Sequence, residues 1–165
     1  MSFQIISKDI TKLDVDAIVN ASNTSLQMGG GVCGAIFRAA GADQLRKACD
    51  MIGPIKTGQA VMTDGYNLKA KHIIHTAGPV FDSQHPEKSK ELLENSYKNS
   101  LNLARKHNFK SIAFPLISAG IYGYPKKEAF DIAKNTINKI LIDNDTDVYL
   151  TIIDKDLLDS VAKVD

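Results

Sequence analysis

A chain of 165 residues has the length of one compact domain, and 44% apolar with 24% charged residues excludes a disordered or fibrous protein. The 20 Lys and Arg against 19 Asp and Glu leave a net charge of +1, without the basic surplus that neutralises nucleic-acid phosphates, so a nucleic-acid partner is not expected. No apolar run approaches the ~18 residues of a membrane span, Cys33 and Cys49 form no CxxC pair, and residues 1–10 lack a basic stretch followed by a long apolar run, which together predict a reducing, cytoplasmic setting.

In chain order, Phe3–Ser7 and Asp16–Asn20 read as strands, the second around the apolar run Ala17-Ile18-Val19. Val32–Ala40 reads as a helix opening directly after three glycines, and Ala42–Ile52 as another. Gln59–Thr63 and His72–Thr76 read as strands separated by a turn at Asp64-Gly65. Glu87–Lys106 carries Leu93, Tyr97, Leu101 and Ala104 at helical spacing, followed by a short strand Ser111–Pro115. Lys126–Ile142 places Phe130, Ala133, Ile137 and Ile140 on one helical face; Val148–Ile153 is the last strand and Lys155–Val161 a closing helix. The alternation predicts one domain over residues 1–165, a three-layer α/β/α fold with a mixed, largely parallel sheet. Ligands of such folds sit at the carboxyl ends of the strands, after Val19, Pro115 and Ile153.

The loop after the second strand ends in Gly29-Gly30-Gly31 before a helix. Glycines there let the backbone approach an anion closely, and the helix N-terminus supplies free N–H groups and a favourable dipole. Gly29-x-Gly31-x-x-Gly34 matches the dinucleotide-binding fingerprint in letters only: Asn20–Met28 intervene between strand and first glycine, and Asp50 falls at the end of a helical stretch rather than of a second strand. A second small-residue loop, Leu116–Pro125, follows the strand ending at Pro115, and its Tyr122 and Tyr124 either line a ring-binding pocket or pack on the core. Two such loops at one sheet edge are placed to grip two adjacent phosphates.

The segment Asp16–Gly41, DAIVNASNTSLQMGGGVCGAIFRAAG, resembles the first signature of macrodomains, and FPLISAGIYGYP resembles the second. Lys8-Asp9-Ile10-Thr11 lies near the family's GDIT, GPIKTGQAV and HTAGP fall where the family has them, and DVYLTIIDKDLLD looks like viral members. The resemblance implies an ADP-ribose-binding domain. Asp9 would accept from the adenine amino group beside the Ile10 backbone, with Ile153 and Asp154 on the adenine side. Gly29, Gly30, Gly31, Val32 and Cys33 would bracket the pyrophosphate with Ser118, Ala119, Gly120, Ile121 and Tyr122. Asn23 would bond the distal ribose, with the Tyr122 ring over it, while Asn20 is assigned to loop backbone groups. Asp9 also suits the cap of a turn at Ile10–Leu13. Ile153 replaces the aromatic that many members stack on adenine, and Lys8 replaces the glycine of GDIT.

The resemblance implicates Asn23, Gly30 and Tyr122 in catalysis, as a hydrolase that removes mono-ADP-ribose from modified proteins or deacetylates O-acetyl-ADP-ribose. Members of the cellular hydrolase branch carry Asp and His where this chain has Cys33 and Phe37, which keeps a non-catalytic ADP-ribose reader as the alternative. Some viral hydrolases also lack that Asp, and their catalysis is described as substrate-assisted. A thiol at a helix N-terminus is a candidate nucleophile, but no histidine stands near Cys33 in sequence to serve as its base. Cys49 reads as a small buried hydrophobe. His72 and His75 lie three apart on a strand and point to opposite faces, so they share no metal. The expected partner is ADP-ribose or an ADP-ribosylated protein, bound by a monomer, with no cofactor, metal or membrane.

Overall fold

A computed structural model of the chain describes residues 2–142 and 145–162. Among these residues six strands form one sheet: β1 (Ser2–Ile6), β2 (Ala17–Ser22), β3 (Ala60–Asp64), β4 (His72–Ala77), β5 (Ser111–Phe114) and β6 (Asp147–Thr151). Their spatial order is β1-β6-β5-β2-β4-β3. Neighbours are parallel except at the β3 edge, which runs antiparallel to β4. The helices are α1 (Gly31–Ala40), α2 (Ala42–Ile52), α3 (Pro86–Lys106), α4 (Lys126–Leu141) and α5 (Lys155–Ala162), with one 3-10 turn at Ile10–Lys12. This is the three-layer α/β arrangement that the alternating pattern predicts. Element ends move by a residue or two, where such boundaries are least fixed. Thus β2 runs on past Asn20, because Ala21 and Ser22 keep register with Thr76 and Ala77 of β4.

The sequence explains which layer each element joins. Ala17, Ile18 and Val19 are fully buried, as a central parallel strand covered on both faces requires. On one face Ile36, Phe37 and Ala40 of α1 and Leu45 and Cys49 of α2 pack with Ile18, Ile73 and Ala113. On the other, Leu93, Tyr97, Leu101 and Ala104 of α3 and Phe130, Ala133 and Ile137 of α4 pack with Val19, Ile74, Ile112 and Phe114, joined by Leu157 and Val161 of α5. No helix among the described residues is long and apolar enough to cross a membrane.

The two histidines of β4 part as the strand period demands. His72 stacks on Phe109 at 4.9 Å between ring centroids, while His75 is fully buried beneath α2 in a polar network. Asn20 Nδ2 lies 3.0 Å from His75 Nδ1, and His75 Nε2 lies 2.9 Å from Thr63 Oγ1, whose hydroxyl donates to the Asp64 carbonyl at 3.1 Å. Asn20 is therefore structural, as expected, although its partner is a core histidine and not loop backbone. Cys49 Sγ is 4.0 Å from the same ring; burial, then the nearby Cys33 and Asp50, pushes its thiol up to about 11, which leaves it an inert core group.

Burial pushes the His75 imidazole down from 6.5 to about 4. Between those values the unfolded chain binds a proton that the folded chain does not. The His75 contribution to stability is thus fully present above pH 6.5 and is lost as pH falls towards about 4. Urea unfolding is expected to show a loss of about 2 kcal/mol from this group between pH 7 and pH 5. His75→Gln should remove that part of the slope, and an unchanged slope in the variant would mean that the ring is not held neutral by burial.

Candidate functional site

The chain leaves β2 towards the β4–β3 side of the sheet and leaves β5 towards β6, so the connections after these two adjacent parallel strands diverge. A crevice at the carboxyl ends follows from that reversal. It is a cleft of about 290 Å³, lined by Ala21, Ser22 and Asn23 at the end of β2, residues 29–33, Gly78 after β4, and residues 116–118 and 120–122 after β5. None of these lining residues is Asp, Glu, Lys, Arg or His.

One wall is the start of α1. Its N-cap is Gly30, no side chain caps it and its first turn holds no acidic residue. The backbone N–H groups of Gly31, Val32 and Cys33 consequently have no hydrogen-bond partner among the described residues. The third glycine of the motif serves this wall: a Cβ on Gly34 would stand 2.6 Å from the Gly29 carbonyl oxygen, so only glycine lets the preceding loop fold back on the helix.

The opposite wall is the loop after β5, anchored from beneath. The Tyr97 hydroxyl accepts from Ile117 N–H at 3.0 Å and donates to the Pro115 carbonyl at 3.4 Å. Burial of this phenol raises its pKa, so it remains a donor. Ser118 Oγ donates to the Pro79 carbonyl at 2.7 Å, and Phe81 N–H donates to the Tyr122 carbonyl at 2.9 Å. Gly78 permits this contact, since a Cβ there would lie 2.4 Å from both Ile117 Cγ2 and Ser118 Oγ. The loop is pinned at these points, while the N–H groups of Gly120, Ile121 and Tyr122 have no partner among the described residues. Two sets of free donors therefore face one crevice, an arrangement suited to an anion with two phosphates.

Asn23 closes one end. Its Oδ1 accepts from Gln27 N–H at 3.0 Å and from Ser25 Oγ at 2.8 Å, and its Nδ2 donates to the Gln27 carbonyl at 3.1 Å. A backbone N–H only donates and a carbonyl only accepts, so these contacts set which way the amide points. Both Oδ1 lone pairs are used, and one Nδ2 hydrogen is left over. Asn23 offers a ligand a hydrogen-bond donor. Cys33 Sγ donates to the same Gln27 carbonyl at 3.8 Å, and no histidine lines the cleft to act as its base.

The cleft thus brings together Asn23, Gly29, Gly30, Gly31, Val32, Cys33, Ser118, Gly120, Ile121 and Tyr122. Asp9, Ile10, Ala119, Ile153 and Asp154 do not line it. Asp9 Oδ1 accepts from the Thr11 hydroxyl at 2.7 Å and the Thr11 N–H at 3.0 Å, capping the 3-10 turn and holding the carboxyl below its ordinary range. Ile10 is buried and Ile153 is 76% exposed. Asp154 pairs with Lys126 and caps α5 through Leu157 N–H at 2.9 Å, and these two contacts hold its carboxyl low. Of the two tyrosines, Tyr122 lines the cleft, while Tyr124 packs on Phe81 with ring centroids 4.8 Å apart. Ala21, Ser22, Gly78, Leu116 and Ile117 also line the cleft; all five lie within the segments DAIVNASNTSLQMGGGVCGAIFRAAG, HTAGP and FPLISAGIYGYP, but none was named as a site residue.

A wider groove of about 980 Å³ lies between α3 and α4, but side chains of both charges line it, among them Glu87, Lys90, Glu128 and Lys139. Among the described residues no group of three or more His, Cys, Asp or Glu side chains is placed to share a metal.

An uncharged cleft walled by backbone donors at the switch point of a three-layer sheet places the chain in the class of α/β domains with a crevice suited to phosphate groups. The model of the Macro domain matches residues 19–133, and the chain belongs to the macrodomain family. It is 52% identical over 143 residues to the O-acetyl-ADP-ribose deacetylase of Salmonella newport, covering 84% of this chain and 78% of that protein. A macro domain-containing protein of Chlorobaculum tepidum is 53% identical over 138 residues, 84% of this chain and 79% of its own. Among solved structures, the Oceanobacillus iheyensis macrodomain with ADP superimposes with TM-score 0.87 at 39% identity, covering 98% of this chain and 92% of that one. The Trypanosoma brucei macrodomain in complex with ADP-ribose gives 0.87 at 35% identity, covering 98% and 68%.

The role given to Gly34 is open to a direct check. Gly34→Ala is expected to lose about 1–3 kcal/mol in urea unfolding because its methyl meets backbone that cannot yield. Gly120→Ala, where a Cβ meets nothing within 4 Å, should stay within ~0.5 kcal/mol of wild type. Equal losses at both positions would remove the close approach as the reason for glycine.

Proposed function

We propose that this macrodomain binds ADP-ribose in the β2/β5 cleft and hydrolyses an ester on the distal ribose. The products are then acetate from O-acetyl-ADP-ribose, or free ADP-ribose from a protein modified on a carboxylate side chain. The observation that carries the reading is the pair of unpartnered N–H sets, residues 31–33 and 120–122, opposed across one crevice. A pyrophosphate is the ligand group that can occupy both at once. Relatives named O-acetyl-ADP-ribose deacetylase, about half identical in sequence, support the reaction class.

Each residue then has a task. The spare Nδ2 hydrogen of Asn23 bonds an oxygen of the distal ribose and sets its orientation. Gly30, the N-cap of α1 without a capping side chain, leaves the first N–H groups of that helix open to the pyrophosphate, and Tyr122 covers the sugar. With no carboxylate or imidazole lining the cleft, a phosphate oxygen of the ligand takes the proton of the attacking water. Water adds to the ester carbonyl carbon, the bond from that carbon to the ribose oxygen breaks, and the ribose oxygen receives the proton. On the adenine side, the second carboxylate oxygen of Asp9 and the exposed Ile153 receive the base, with Asp154 serving that end through its backbone. A second reading, a reader without turnover, is favoured by Cys33 and the buried Phe37 at the positions that carry Asp and His in the cellular hydrolase branch.

The test is release of acetate from O-acetyl-ADP-ribose, beside release of label from a protein ADP-ribosylated on acidic residues. Wild type is expected to release at least one of the two, and Asn23→Ala to lower kcat by about tenfold or more while still binding ADP-ribose. Tight ADP-ribose binding with neither product would establish the reader instead. Because dipoles and not ionised side chains hold the phosphates, the calorimetric Kd for ADP-ribose should change by less than about threefold between ~0.05 M and ~0.5 M NaCl. A steep rise in Kd over that range would place charged side chains at the phosphates.

A further inference from the structure

We propose that Asp50, on α2 and outside the cleft, is a positioning residue that acts through Gln27 on the Asn23 amide. The inference rests on the hydrolase reading above. Asn23 is gripped at both amide atoms by the main chain of one residue, Gln27, whose N–H and carbonyl lie 3.0 and 3.1 Å away. Wherever residue 27 moves, the amide plane of Asn23 follows.

The side chain of Gln27 is itself committed. Its Nε2 donates to Asp50 Oδ1 at 2.9 Å and to the Ser25 carbonyl at 3.3 Å, which uses both of its hydrogens. The first bond ties the loop to the last turn of α2 and the second closes the loop on itself. The residue between is equally constrained: Leu26 adopts a left-handed φ of 57°, unusual for a branched side chain, and is buried against Gly53 just beyond α2. Ile55 N–H donates to the Thr24 carbonyl at 2.8 Å on the same side. Cys33 Sγ points at the Gln27 carbonyl that holds Asn23 Nδ2. The loop from Thr24 to Gln27 is therefore fastened to α2 and its continuation, and Asp50 supplies the fastening that acts on residue 27 itself.

The exposed hydrogen bond from Gln27 to Asp50 is a small fraction of the stability of a whole domain, so Asp50 can be removed without unfolding it. Its effect belongs to the geometry of the Asn23 donor, where small displacements weigh heavily on rate. Asp50→Asn keeps an acceptor for Gln27 Nε2 and Asp50→Ala removes it.

With O-acetyl-ADP-ribose or the ADP-ribosylated protein, whichever the wild type turns over, Asp50→Ala is expected to lower kcat about five- to tenfold with KM within about twofold. Asp50→Asn should restore most of the rate. In an Asn23→Ala background the Asp50→Ala change should cost nothing further. A wild-type kcat in Asp50→Ala, or the same loss with and without Asn23, overturns the proposal. If the wild type proves to be a reader, the side-chain amide NMR resonances of Asn23 decide it. They are expected to move in Asp50→Ala and return in Asp50→Asn, and unmoved resonances would overturn the role of Asp50 whatever the activity.

Discussion

The adjacency of β2 and β5 as parallel strands governs the chemistry of this domain. Their carboxyl ends open on the same edge of the sheet, and the chain leaves them in opposite directions. The crevice between the departing loops needs no side chain to create it. What the side chains decide is whether backbone donors stay free there. Gly30 in place of a capping Ser or Asp leaves the first turn of α1 unsatisfied. On the other wall the Tyr97, Pro79 and Phe81 contacts secure the loop after β5 without consuming the N–H groups of residues 120–122.

A cleft of this kind meets negative charge with oriented dipoles. No cation lines it to compete for water or to recruit other polyanions, which agrees with a chain of nearly balanced charge. For the hydrolysis we propose, the same neutrality would leave no acid–base side chain beside the scissile bond. Catalysis would then fall to positioning, and the loop that holds Asn23 would matter as much as Asn23 itself. On that proposal the end of α2 is tied to the reaction through Gln27, which no lining residue reveals.

Much of this was legible in the sequence. The run Ala17-Ile18-Val19 and the helical stripes through Leu93 and Phe130 carry the layer assignment, because burial on both faces of a parallel sheet and on one face of a helix imposes distinct periods. The two small-residue loops are equally plain. Contacts between distant segments are not. Tyr97 reads as one more core position of α3, and only the fold brings its hydroxyl to Ile117. Gly78 is one glycine among many until Ile117 and Ser118 crowd it. Tyr122 and Tyr124 look alike in sequence, yet one faces the cleft and the other the core, a choice made by the turn at Gly123. Asp9 and Asp154 both cap the elements that follow them, jobs that local spacing suggests, whereas the tie from Asp50 to Gln27 depends on how α2 returns to the loop.

The most direct measurement of the central claim is a titration with ADP followed in amide proton–nitrogen correlation spectra. The account predicts that the N–H resonances of Gly31, Val32, Cys33, Gly120, Ile121 and Tyr122 shift together and saturate at one ligand concentration, as donors to a shared pyrophosphate would. Unmoved resonances at these residues, with shifts along the α3–α4 groove instead, would contradict it.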